Sequence, residues 1–373
     1  MSKKKTAIIY DWIDKWGGVE RVLLTLHELY PDADFFTSYY DSKSADWAKG
    51  LNIQTTFIQN LPSFIKKSRL LSLLLYPMAF ETFNLSDYKT VISVTSSFAK
   101  GVITKPQTRH ICYLLTPPRY IWGNTDVYTK KSFITTIGQK LIGKYLKKWD
   151  FIAAQRVDEF ISISKIVAER CKSYYKRDSK VIFPPFDLEY WSNLKKGLNE
   201  VRVKDLPKEF YLVVSRLEPY KRVDLVVDAF NDLPEKKLVV VGAGTEEDVL
   251  KSRANENTLF LNNLSDEQLA LIYSKAKVLI MPQEEDFGYV ALEAQFFGCP
   301  VLSYGNSGAK ETVTKDKTGL FFDEQTKDAL TKKLLEFDII SYELKESCIK
   351  YGETVCKQFS KEQFKQQLKS YKF

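Results

Sequence analysis

Glu285 and Glu293 stand eight residues apart in the stretch EEDFGYVALEAQFFGCPVLSYGNSGAKETV, with Phe287 and Gly288 between them. EEDFG reads as a loop after a strand and YVALEAQFFG as a helix capped by Gly298, placing Glu285 in the loop and Glu293 on the helix. Eight residues is close to two helical turns, so if coiling begins near Asp286 both carboxylates project along one face, about 10 to 12 Å apart. That is too wide for one metal ion. It suits hydroxyl groups at the two ends of an extended ligand, such as a sugar and a ribose joined through a diphosphate. Backbone N–H groups of Phe287, Gly288, Tyr289 and Val290, at the helix start, would meet the phosphates between them. The same spacing also fits two solvated glutamates on a surface helix.

A second group points at the same chemistry. In VVSRLEPYKRVDLVVDAF a strand ends near Val214, and a helix follows with Val223, Val226, Val227 and Phe230 on one face. Arg216 and Lys221 then flank a helix start, where charge-assisted bonds and the helix dipole both favour a diphosphate. Two surface cations in a loop is the plainer alternative. Gly17 and Gly18 precede a helix whose apolar face includes Val22, Leu23, Leu26 and Leu29, and they permit close backbone approach to a ligand. VVVGAGTEEDVL begins like a dinucleotide fingerprint, but Glu247 stands in place of the third glycine, which argues against NAD. With only His27 and His110 in the chain, a histidine-centred triad or zinc site has little material.

These residues need a scaffold that brings loops to one edge. Short apolar runs alternate with helical patterns from TAIIYDW to KVIFPP, and the rhythm restarts with FYLVVSRL, KKLVVVGAG, TLFLNNL, AKVLIMPQ and CPVLSYG. This predicts an α/β chain with two Rossmann-like domains, each built on a parallel sheet. The expected divisions are 1–185, a linker at 186–207, a second domain at 208–355 and a C-terminal helix at 356–373 crossing back to the first. Ligands of such sheets bind beyond the strand carboxyl ends, so two facing domains would hold the site in a deep interdomain cleft.

The 373 residues carry a net charge of +8. Residues 1–185 hold 28 Lys/Arg against 16 Asp/Glu, and the remainder 27 against 31. A basic half suits an anionic ligand or surface; with no other nucleic-acid signal, nucleic acid is not an expected partner. The five cysteines are scattered without Cys-x-x-Cys spacing, reading as reduced thiols, and no apolar run is long enough to span a bilayer. These features predict a cytoplasmic protein. SFIKKSRLLSLLLYPMAF and TKKSFITTIGQKLIGKYLKKWDFI interleave Lys/Arg with helically spaced apolar residues, compatible with peripheral contact with an anionic membrane at its inner face or with packing on their own domain.

Taken in order, GGVERVL, VISVTSSFAKGVI, TPPRYIW, SRLEPYKRVDLVVDAF, VVGAG, LSDEQLALIYSKAKVLIMPQ, EDFGYVALEAQFFGCPVLSYGNSGAKETV and TGLFF resemble the retaining glycosyltransferases of family 4, which have the GT-B architecture. The resemblance implies that Arg216 and Lys221 neutralise a leaving diphosphate, Glu293 holds the ribose hydroxyls and Glu285 faces the transferred sugar. It further implies that Phe287 to Val290 give backbone contacts, that Gly17 and Gly18 let the N-terminal loop reach the phosphates, and that no metal or other cofactor is needed. YLLTPPRYIW is similar to the HTP-x-RY-x-W stretch of bacterial mannosyltransferases that build lipopolysaccharide O-chains, with Leu115 where those relatives carry His. The implied function is transfer of a hexose, first of all mannose from GDP-mannose, to a lipid-linked or polysaccharide acceptor in cell-surface glycan biosynthesis. A UDP-sugar donor, and a silent subunit that only binds a nucleotide sugar, stand as alternatives.

Overall fold

The computed structural model describes residues 6–123 and 135–371. The chain forms two compact units, Met1–Pro184 with Phe364–Phe373, and Pro185–Gln363.

The first unit is built on a seven-stranded sheet of β1 (Thr6–Tyr10), β2 (Asp34–Thr37), β3 (Ile53–Thr55), β4 (Thr90–Thr95), β5 (Arg109–Leu114), β6 (Glu159–Ser162) and β7 (Ser179–Val181), in the order β3-β2-β1-β4-β5-β6-β7. Neighbouring strands pair in parallel. The strands β1, β4 and β5 are buried almost throughout, which is why they read as continuous apolar runs. Strand β3, with the sequence Ile-Gln-Thr, is a short edge strand without an apolar run, and the sequence reading passes over it.

The strand order reverses between β1 and β4, and there Asp11 ties the loops together. Its carboxylate accepts from the backbone N–H groups of Ser96, Phe98 and Ala99 at 2.8–2.9 Å and from the Thr95 hydroxyl. Burial pushes this carboxyl upward, and the N–H donors pull against that shift. Nearby, Lys100 and Asp150 form a wholly buried ion pair at 2.5 Å, and Asp150 also accepts from Trp122 Nε1 and the Tyr175 hydroxyl at 2.7 Å each. The last residues rejoin this unit: Phe364 packs edge-on against Tyr113, and Lys365 pairs with Glu28.

The second unit has a six-stranded parallel sheet of β8 (Tyr211–Val214), β9 (Leu238–Val241), β10 (Thr258–Leu261), β11 (Leu279–Met281), β12 (Val301–Tyr304) and β13 (Gly319–Phe322). Its order, β10-β9-β8-β11-β12-β13, reverses between β8 and β11. That reversal is the topological switch of a doubly wound sheet. The helix Val223–Asn231 buries Val223, Val226, Val227 and Phe230 against this sheet.

Two expectations change. Residues 186–207, read as a linker, carry the helix Leu188–Lys196, capped by the Asp187 carboxylate and anchored by the buried Trp191. This stretch is part of the second unit, and its ring stacking on Phe186 and edge contact with Phe297 explain its order without a long apolar period. The C-terminal region is two helices, Ser341–Lys357 and Lys361–Ser370, so residue 356 falls inside the first of them. All five cysteines are buried free thiols.

Candidate active site

The loops at the β8/β11 switch carry the residues of interest in the second unit. After β8 the chain runs through Ser215 to Leu217, and Arg216 donates to the Tyr220 hydroxyl at 2.8 Å. This segment is pinned against the loop after β9 by Ser215 N–H to Val241 O and Leu217 N–H to Ala243 O. Gly242 and Gly244 make that contact possible. Gly242 has φ +143°, and a Cβ there would lie 1.9 Å from the Ser215 carbonyl oxygen; one at Gly244 would lie 2.3 Å from that of Leu217. The VVGAG motif is thus a backbone-to-backbone seat for the Arg216 turn. From the sequence it reads as a failed dinucleotide fingerprint and as one segment of the family resemblance, with no sign of this packing role.

Lys221 closes the short 3-10 turn Pro219–Lys221, and Arg222 follows in the left-handed region at φ 53° before the Val223–Asn231 helix starts. Lys221 Nζ reaches 2.8 Å from Glu285 Oε2, with both side chains mostly covered. Gln283 Nε2 donates to the same oxygen at 2.9 Å. An ammonium has three donors, so a lysine held by one carboxylate can still bond phosphate oxygens.

Glu285 lies in the loop after β11. Its backbone N–H donates to Ser307 Oγ at 3.1 Å, and its carbonyl accepts from Gly308 N–H at 2.8 Å. A Cβ at Gly308 would sit 2.4 Å from the Asp286 carbonyl oxygen, so only glycine allows the two loops to meet. Ser307, Gly308 and Gln283 were missed from the sequence. Their signal was present as GNSG and as the polar residues directly after a strand.

The helix begins at Tyr289, as the stretch YVALEAQFFG predicts, and not near Asp286, with Gly288 as its cap at φ +93°. Glu285 therefore precedes the helix and does not share a helical face with Glu293. The cause is Gly288 itself: its left-handed backbone bends the chain before coiling starts. Phe287 is buried, and its ring meets those of Tyr289 and Phe359. Tyr289 donates its hydroxyl to the Pro185 carbonyl at 2.8 Å, and Val290 occupies the first turn.

Glu293 is buried, and Tyr273 donates to its Oε2 at 3.0 Å. From Ala291 to Phe296 every residue of this helix is buried. Glu293 is therefore no solvated surface glutamate. A carboxylate kept in such a helix carries a desolvation cost that polar partners or a ligand must offset. Tyr273, on the helix Asp266–Lys275, is the partner that sequence spacing could not reveal.

In the first unit, Gly17 caps the helix Gly18–Leu29, and Glu20 on its first turn is buried. Burial raises the Glu20 carboxyl to about 7, against nearby N–H groups and Lys15 that pull it down. Leu115 follows β5, its N–H bonded to the Thr95 carbonyl at 2.8 Å, and beside it Arg170 donates to the Thr116 hydroxyl at 3.2 Å.

Residues 197–355 match the family described as Glycosyl transferases group 1. Over nearly the whole chain, this protein is 24% identical to an uncharacterized glycosyltransferase of Methanocaldococcus jannaschii, with 95% of this chain and 93% of the relative aligned. A GDP-mannose-dependent monoacylated alpha-(1-6)-phosphatidylinositol monomannoside mannosyltransferase of Corynebacterium glutamicum is 33% identical over 137 residues, which is 33% of this chain and 36% of that protein. Among solved structures, Anabaena HepE in complex with UDP-glucose is similar with a TM-score of 0.69 at 17% identity, covering 98% of each chain. That likeness extends to the fold: two Rossmann-like units with parallel sheets, the GT-B architecture.

Proposed function

We propose, for a chain whose residues 197–355 match the group 1 glycosyltransferases, that it transfers mannose from GDP-mannose to a lipid-linked or polysaccharide acceptor with retention at the anomeric carbon. The observation that carries it is the meeting of Lys221 and Glu285 at 2.8 Å on the loops beyond β8 and β11. It couples a cation for a departing diphosphate to a carboxylate for sugar hydroxyls at the switch point of one sheet.

In the proposed reaction, the bond between the sugar anomeric carbon and the diphosphate oxygen breaks while the acceptor oxygen bonds to that carbon on the same face. The acceptor proton passes to the departing phosphate oxygen. Arg216 and Lys221 stabilise the charge that develops on the diphosphate, which is where catalysis gains most. Glu293, supported by Tyr273, holds the ribose hydroxyls. Glu285 orients the hexose, with Gln283 and Lys221 fixing its rotamer. Because the phosphate itself takes the proton, Leu115 in place of His is compatible with turnover.

The partial match to a GDP-mannose-dependent enzyme supports the mannosyl donor. A UDP-sugar donor is favoured instead by the similarity to HepE, which was solved with UDP-glucose. The test is transfer of labelled sugar from GDP-mannose or UDP-glucose to lipid extracts and glycans by the purified protein. Mannose incorporation from GDP-mannose supports the reading, glucose incorporation moves it to UDP donors, and no transfer or hydrolysis with either rejects catalysis.

A further inference from the structure

Two neighbouring stretches of the first unit turn large apolar side chains outward. Phe64, Leu70, Leu71, Leu74 and Met78 come from the first, and Leu141, Tyr145 and Ile152 from the helix Thr135–Gln155; each is 48–78% exposed. Their inward residues share one core: the Phe98 ring is flanked by Tyr76 at 4.9 Å and by Trp149 at 5.6 Å. On the helix, Leu141, Lys144, Tyr145, Lys148 and Ile152 follow the helical period along one outward side. This helix thus has two apolar faces, and only one is used by the core.

Both stretches are poor in acidic residues. Thr135–Gln155 contains a single acidic residue, Asp150, and that is buried against Lys100. Residues 64–78 contain none. Lys67 and Arg69 are ion-paired with Asp41 and Asp14, while Lys66 donates to the Gln59 carbonyl, so Lys66 and the helix lysines supply the remaining positive charge of the surface. Apolar side chains separated by lysines, with the nearby carboxylates of Asp14 and Asp41 already paired, match the acyl boundary and phosphate layer of an anionic bilayer. A second copy of the same surface would set lysines against lysines. No helix among the described residues is long and apolar enough to cross a membrane.

We propose that the outward side of the Thr135–Gln155 helix and the Phe64–Met78 stretch together rest on an anionic lipid surface. The inference rests on the transferase reading for its purpose, which is to hold the protein where a lipid-linked acceptor is presented. Its physical content is independent of that reading.

The test is co-sedimentation of the full chain with vesicles of phosphatidylcholine alone and with added phosphatidylglycerol, without nucleotide or sugar. Binding to the anionic vesicles should weaken as salt rises and should fall about tenfold or more in Lys144→Glu/Lys148→Glu. Leu71→Ser/Leu74→Ser should lower binding at every salt concentration, and thermal melts should show both variants folded as the parent. Equal binding to neutral and anionic vesicles, or no change in either variant, overturns the proposal. So does sedimentation showing that the surface instead joins two copies and that Leu141→Glu separates them. Because the readout needs no donor, failure here leaves the sugar-transfer reading intact, and a failed transfer assay leaves this one intact.

Discussion

Lys221 and Glu285 are 64 residues apart in sequence and 2.8 Å apart in the fold. Adjacent strands β8 and β11 deliver them: each residue lies a few positions beyond its strand's end, at the point where strand order reverses. Replacing either with alanine should lower sugar transfer by about a hundredfold or more, the scale of losing one preorganised electrostatic contact. The stability change should stay within about 2 kcal/mol, because the pair is only partly buried. Steady-state kinetics beside thermal melts check this, and loss of folding in step with activity would assign the pair a structural role.

Gly308→Ala tests the backbone that holds Glu285. An added Cβ would fall 2.4 Å from the Asp286 carbonyl oxygen, so the loop after β11 must move. Turnover should drop at least tenfold, as expected when catalytic groups shift by about an ångström. Unchanged kinetics would mean that the loop does not position the site.

Much of this arrangement was legible in the chain. The buried strands are near-continuous apolar runs, so both sheets could be read, and the strand ends then located Arg216, Lys221 and Glu285. Other parts lacked a local signal. Strand β3 is three residues at a sheet edge and follows no hydrophobic rhythm. Glu293 resembles any helical glutamate until tertiary packing buries every neighbour from Ala291 to Phe296 and brings up Tyr273. Gly242 and Gly244 serve a contact with Ser215 and Leu217 that only the folded sheet creates. The Leu188–Lys196 helix is held by aromatic contacts more than by period, and so it read as a linker.

Glu20 should leave a mark on the pH dependence of stability. Its folded-state carboxyl is raised to about 7 from an ordinary 4.5 by burial, so the folded state binds the proton more tightly. The contribution is fully present below about pH 4.5 and is lost as pH rises through about 7, a swing on the order of 3 kcal/mol. His110 acts oppositely: burial lowers it to about 3, so its contribution is lost as pH falls below 6.5. The difference between parent and Glu20→Gln isolates the glutamate. Denaturant melts from pH 4.5 to 8 should show the variant gaining on the parent as pH rises; parallel curves would contradict the shift.

The buried pair of Lys100 and Asp150 should be costly to break. Lys100→Ala would leave Asp150 with Trp122 and Tyr175 as donors but no counter-charge, at a cost of about 3 to 5 kcal/mol. Chemical denaturation of the variant checks this; a loss below about 1 kcal/mol would mean that water or rearrangement replaces the lysine.

The most direct test of the central claim is calorimetric titration of GDP, GDP-mannose, UDP and UDP-glucose into the parent protein and Lys221→Ala, without added divalent metal. The account predicts saturable binding of a nucleoside diphosphate and its sugar conjugate by the parent, strongest for GDP and GDP-mannose, and a loss of about tenfold or more in Lys221→Ala. Binding that is indifferent to Lys221, or no binding of any of the four, would contradict it.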